Sequence, residues 1–309
     1  MRQRRHLPIA LASILTALTA LPLPAQTEWK TLESEHFHLS YETDDLAARR
    51  ALKVSQELFD EIAAHYDIEL KRPFRVWIAQ SPDRFKSLAQ APIRDWAQGF
   101  AFPLKGEMAI LQPKGQGGYE ELERIARHET AHLALGALIG EKAMEAPLWF
   151  HEGFAMYVSE PWTLMHRWTL LSNALFRSMI PLTSLDEAFP SEAGRAHLAY
   201  VQSFSAVRGL VLDHSFTQLK TLLARLQRGE PFEDAFETVF GMSVELYADE
   251  WKESASSGYH WLPVIGGALA VGSFFTPIFL IAHWRRRRTK KARLDAWLEE
   301  ESKPDPFFR

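Results

Sequence analysis

The sequence predicts an α+β fold, a small mixed sheet with a hairpin edge strand packed on a mainly helical body, plus one C-terminal transmembrane helix. Three observations predict it. Short segments with period-two apolar spacing all lie before Gln112, whereas the chain from Gly115 to about residue 257 has helical spacing, and strands followed by helices favour α+β over an alternating parallel fold. Residues Trp261 to Ala282 then form an uncharged run of 22 residues, roughly 33 Å as a helix and enough to cross a hydrocarbon core of about 30 Å.

The elements follow in order. Leu7 to Leu23 carry no charge, follow Arg2, Arg4 and Arg5, and lead to Leu23-Pro24-Ala25, so residues 1–25 read as a secretory signal. A domain over 27–258 opens with Glu35 to Tyr41, an alternating aromatic-rich strand. Thr43 caps a helix in which Leu46, Leu52, Leu58, Phe59, Ile62 and Tyr66 share a face. Phe74 to Ala79 is a second strand, Ser81-Pro82 opens a brief helix, and Gln98 to Phe102 with Glu107 to Leu111 form a hairpin across Lys105-Gly106. The glycines from Gly115 to Gly118 lack the Lys and Ser/Thr of a phosphate-binding loop and read as punctuation. One helix is expected from Tyr119 to Leu138 and another from Pro147, placed in its first turn.

The membrane segment spans 261–283, with Trp261 and Trp284 as interfacial aromatics, and Arg285 to Arg288 follow at once. The positive-inside rule then puts the tail 284–309 in the cytoplasm and the domain on the periplasmic or extracellular side of an inner (cytoplasmic) membrane, crossed once. This orientation holds whether or not the first segment is cleaved. The net charge of −4 hides basic clusters at both ends, and because those clusters flank apolar runs they argue for topology and against nucleic acid. Cysteine is absent, which excludes disulfides, thiolate metal sites and a cysteine nucleophile. The lone asparagine, Asn173, is not in a glycosylation sequon, and together with the missing cysteines it fits a bacterial envelope.

His128-Glu129-Thr130-Ala131-His132 carries the chemistry. Histidines four apart on a helix lie one turn above each other, so their imidazoles can converge on one ion while Glu129 projects beside them. The next helix carries Leu148-Trp149-Phe150-His151-Glu152-Gly153-Phe154-Ala155, and an antiparallel return brings Glu152 toward the histidines. Two His and one Glu are a recognised ligand set for one catalytic Zn2+ with an open fourth position. His151 is the competing ligand but points about 100° away on the same helix. His36 and His38 share a strand face and read as solvated side chains.

The H-E-x-x-H pattern followed some twenty residues later by Trp149, Glu152, Gly153 and Ala155 in a W-x-x-E-G-x-A stretch resembles the gluzincins, the thermolysin-like and aminopeptidase N-like zinc metallopeptidases. The resemblance covers about residues 28–255. It implies a zincin-like fold, a hairpin that lines the substrate, a polypeptide substrate, Glu129 as general base toward a water activated by zinc, and Tyr200 as donor to the oxyanion, with His197 its competitor. Val244 to Trp251 is similar to the closing helix of small gluzincin-like domains in bacterial proteins. Gly106-Glu107-Met108-Ala109-Ile110 departs from the G-x-M-E-N pattern that grips a substrate amino terminus, which favours an endopeptidase. The other functions open to such a chain are an idle scaffold or binding protein of the envelope and a hydrolase of non-peptide amides. Retention of Glu129 and all three presumed ligands favours activity.

Overall fold

The computed structural model describes residues 28–257 apart from 90–92, 95–96, 142–144 and 187–188. The expected signal (1–25), membrane helix (261–283) and tail (284–309) lie outside the described residues. Among the described residues no helix is long and apolar enough to cross a membrane.

Five strands form one mixed sheet in the order β1-β2-β3-β5-β4: β1 (Lys30–Glu33), β2 (Phe37–Tyr41), β3 (Phe74–Ala79), β4 (Gly99–Phe102) and β5 (Glu107–Leu111). β2, β3 and β5 run parallel, while β1 and β4 are antiparallel edges. Alternation works as expected in β2, where Phe37, Leu39 and Tyr41 are buried and His38 is exposed. β1 escaped the sequence reading because it has no apolar face to repeat. The β4–β5 hairpin turns through a short 3-10 segment, Pro103–Lys105, and Gly106, whose φ of 65° explains the glycine there.

Helix α1 (Asp45–Tyr66) connects β2 to β3. Its cap is Asp44, not Thr43: the Asp44 carboxylate accepts from Ala47 N at 3.0 Å. Leu46, expected on the buried face, is exposed, and Ala47, Ala48 and Ala51 take that role against α3. Phe59 packs edge-on against Phe37 and Phe74 at centroid distances of 6.2 and 5.3 Å, a contact set whose truncation costs about 3–5 kcal/mol. Ser81 caps α2 (Pro82–Leu88), with Pro82 in the first turn.

The helical body comprises α3 (Gly118–Ile139), α4 (Leu148–Ser159), α5 (Leu164–Leu175), α6 (Ala193–Gly209), α7 (Phe216–Gln227), α8 (Phe232–Phe240) and α9 (Val244–Ser257). Helix α3 lies under the sheet and against α1, and α4 is sandwiched between α3 and α6. Pro147 sits one residue earlier than expected, as the extended cap of α4. Trp149 is fully buried, edge-on to Phe232 and stacked with Tyr247 at 6.4 Å, which ties α4 to α8 and α9. Tyr247 in turn donates its hydroxyl to Ala206 O of α6 at 2.5 Å.

Candidate metal centre and its cleft

Helix α3 presents His128 and His132 on one face, and α4 returns with Glu152 beside them. The α4 helix can come this close to α6 only because residue 153 is glycine: a Cβ there would stand 2.3 Å from Ser203 O and 2.6 Å from Val207 Cγ2. Sequence spacing alone suggested the return of Glu152; the glycine is what sets its depth.

His128 Nε2 and His132 Nε2 are 3.2 Å apart, and each lies 3.3 Å from Glu152 Oε2. Ligands held at about 2.0–2.1 Å from a tetrahedral zinc are separated by about 3.3–3.4 Å, so this triangle has the size of one face of that tetrahedron. Glu152 Oε2 is buried and makes no hydrogen bond of acceptable geometry despite two imidazoles at 3.3 Å. The three atoms lie close enough together to share one ion. The donor set and its shape therefore fit a zinc ion. Among the described residues this is the one cluster of three or more metal-ligating side chains. His151 lines the neighbouring cavity but does not join the trio, and His36 turns away to meet Phe59 edge-on at 4.9 Å.

The electrostatics of the site follow from burial. Glu152 is desolvated, which by itself raises its pKa, but the charge of His132 and the closeness of both imidazoles outweigh that and hold it below the ordinary range. For His132, burial acts downward and Glu152 more than compensates, so its pKa is raised. Glu129 is also buried, and desolvation, only partly offset by the two imidazoles, raises its pKa. Its side chain lies against the edge strand: a Cβ on Gly99 would stand 2.4 Å from Glu129 Oε1.

Two cavities, of about 720 and 610 Å³, meet at the trio and share Gly99, His128, Glu129, Leu148, Glu152 and Tyr200 as lining. Tyr200, on α6, borders both, with its ring 6.2 Å from that of His128, whereas His197 borders only the larger. Desolvation, then the negative charge of Glu152 and Glu129, raises the Tyr200 pKa, which keeps its proton in place as a donor. The larger cavity also holds Arg94, Arg124, Glu160 and His166, and the smaller one Phe100, Ala101 and Asp186. None of these was marked by sequence motif. Gly99 had a usable signal, since an isolated strand glycine often marks a close approach.

The model of the peptidase MA superfamily matches residues 54–257, two thirds of the chain and every element that carries the site. The chain belongs to the peptidase MA superfamily. The peptidase MA match runs from the middle of α1 to the end of α9, so β1 and β2 lie outside it. No curated protein matches the sequence. Among solved structures, an M1 zinc metallopeptidase from Deinococcus radiodurans is similar at 16% identity and a TM-score of 0.38, over 75% of this chain and 52% of that one. The chain thus spans about half the length of that protein. The fold is a gluzincin-like peptidase MA domain, with the mixed sheet and helical body read from the sequence.

Proposed function

We infer that the chain is a membrane-anchored zinc metallopeptidase that cuts polypeptides internally. The observation that carries the reading is the ligand triangle, with three partly buried ligand residues at tetrahedral spacing and the buried Glu129 beside them but outside the set. His128, His132 and Glu152 would hold the ion, which when bound supplies Lewis-acid polarisation and lowers the pKa of water toward about 7. Glu129 accepts the proton of the attacking water and returns it to the departing amine. Its desolvated carboxylate suits both directions, because burial has weakened it as an acid. Tyr200 donates to the oxygen of the scissile carbonyl as charge builds there. Gly99 and Phe100, on the exposed edge of the sheet, border the cleft where an extended substrate backbone would run.

Endopeptidase action is favoured because two cavities, of about 720 and 610 Å³, border His128 and Glu152, giving room for substrate residues beyond the cut bond. The edge strand Gly99-Phe100-Ala101-Phe102 carries no carboxylate to grip an amino terminus, and Glu107 on β5 is paired with Arg75. The anchor rests on the uncharged run 261–282 and the four arginines after it, which orient the domain away from the cytoplasm.

The test is the full-length chain in detergent beside Glu129→Gln. Wild type is expected to hold one zinc and hydrolyse casein, while the variant keeps zinc and loses about 10²–10⁴-fold in rate. A wild type that binds no zinc would overturn the reading, and zinc without hydrolysis of any polypeptide would favour an envelope scaffold.

A further inference from the structure

Helix α5 is apolar on both sides. Its inner face buries His166, Leu170, Leu171 and Ala174 in the body of the domain. Its outer face exposes Leu164 (82%), Met165 (65%), Trp168 (53%), Leu175 (52%) and, at its C-terminal cap, Phe176 (78%). At 100° per residue these five fall within an arc of about 120°, which only Ser172 interrupts between Trp168 and Leu175. They are half of the ten exposed large apolar side chains among the described residues; the others stand apart along the chain. Scattered exposed leucines are ordinary in a soluble protein, but a contiguous stripe marks an interaction surface. The only charges between Glu160 and Asp186 are Arg167 and Arg177, both exposed.

We propose that the outer face of α5 lies in the interfacial layer of an anionic bilayer. The proposal rests on the membrane-anchor reading for its geometry. Helix α5 packs against α9, which ends at Ser257. Only residues 258–260 separate that end from Trp261, a span of at most about 14 Å even fully extended. A helix of 14 residues is about 21 Å long, so a bilayer crossed by 261–282 is held within reach of the helix that α5 lies on. The composition suits that medium: an apolar arc centred near a tryptophan, in a segment whose only charges are arginines, has the pattern of a helix lying in the plane of the headgroups. A second copy of the chain is the poorer occupant. A two-fold interface would bring two such segments together, and their only charges are the exposed Arg167 and Arg177, with no acid within the segment to answer them.

Because cysteine is absent from the sequence, single cysteines report cleanly. The full-length chain is placed in nanodiscs of phosphatidylglycerol and phosphatidylcholine as Leu164→Cys, Phe176→Cys, Lys53→Cys or Ala270→Cys, each carrying an environment-sensitive fluorophore. Lipid-borne spin labels and aqueous iodide serve as quenchers. The expected result is blue-shifted emission at 164 and 176, strong quenching by spin-labelled lipid and loss of iodide quenching, with the reverse at position 53 on the exposed side of α1. Iodide quenching at 164 and 176 equal to that at 53 would overturn the proposal. Shielding from both quenchers would also overturn it, showing a protein cover, and the oligomeric state would then say whether that cover is a second copy. The label at 270 reads the anchor separately: if lipid quenches 164 and 176 but not 270, the α5 contact stands and the spanning helix falls.

Discussion

Gly99→Ala should separate chemistry from metal binding more cleanly than any change to a ligand. The new Cβ would stand 2.4 Å from Glu129 Oε1, 2.9 Å from Glu129 Cδ and 2.7 Å from Ile125 Cγ2. A carbon–oxygen contact wants about 3.3 Å, so something must move by about 0.9 Å. Two responses compete. The edge strand can retreat, which strains its hydrogen bonds to β5, including Leu111 N to Gln98 O at 2.8 Å, at about 1 kcal/mol each. Alternatively the Glu129 side chain can rotate off its rotamer for about 0.5–1.5 kcal/mol in total. Rotation is cheaper, so the carboxylate gives way. A displacement of about 1 Å at a reacting group costs about 100-fold in rate, equivalent to about 2.7 kcal/mol. The three atoms nearest the added methyl belong to Glu129 and Ile125, neither of them a metal ligand, so zinc content should stay at the wild-type level. The assay is kcat on a polypeptide substrate together with metal analysis of the same sample. Activity within about threefold of wild type would refute the idea that this contact positions Glu129. Loss of zinc along with activity would refute it too, by showing that the strand contact holds up the metal site as a whole.

Three further outcomes are expected. Gly153→Ala meets the backbone of Ser203 at 2.3 Å, which cannot yield as a side chain can, so the metal-free chain should lose about 2–3 kcal/mol, a fall of roughly 5–10 °C in Tm by thermal unfolding, with weaker zinc binding. Unchanged Tm would mean that α4 and α6 are not packed this closely. Tyr200→Phe should keep zinc and fold while lowering kcat by about 10²–10³-fold, and an unchanged kcat would move the oxyanion role to another donor, with His197→Ala the next variant. Asp44→Ala removes the α1 cap, together with bonds to Gln112 and Tyr119, and should cost about 1 kcal/mol by urea unfolding at neutral pH. The Asp44 pKa is lowered from 3.8, first by the backbone N–H of Ala47, with burial opposing and Gln112 and Tyr119 assisting. A depressed carboxylate stabilises the fold above its unfolded pKa. The difference between wild type and variant should therefore be full above about pH 5 and disappear as pH falls through the folded value below 3.8.

The sequence made the elements legible where one local rule sufficed. Alternation found β2, β3, β4 and β5, helical spacing found α1 and α3, and the residue before Pro82 announced α2. It failed where the deciding partner was remote. β1 is a nearly exposed edge whose only warrant is its pairing with β2, and Leu46 looks like a core residue until the three alanines beside it fill the space under α3. At the site, the trio was legible because its geometry is helical arithmetic, i to i+4 on α3 and one return on α4. The cleft around it was not. Arg94, His166 and Phe189 come from three separated segments and border one cavity only in the folded chain, so no spacing in the sequence records their proximity.

The separation of base from ligands also has a cause in helix geometry. On α3, His128 and His132 differ by about 40° around the axis, while Glu129 is turned about 100° from His128 and about 60° from His132. It therefore points to the side of the metal face, toward β4, and whether it works depends on how closely the sheet edge approaches the helix. Two contacts set that approach. Gly136, two turns beyond Glu129, lets the Pro103 turn of the hairpin settle against α3, since a Cβ there would stand 2.3 Å from Pro103 Cβ; Gly99 then admits the carboxylate at the other end of β4. Glycine weakens a helix or a strand by roughly 0.5–1 kcal/mol relative to alanine. Each of these is spent where alanine would push the hairpin off the helix, opening a gap for solvent beside Glu129 and lowering the pKa that burial now raises. Gly136→Ala should accordingly leave the ligand triangle in place and shift the acid limb of the activity profile to lower pH as Glu129 regains water. An acid limb that stays put would mean that burial of Glu129 is set by α6 and not by the seating of the hairpin.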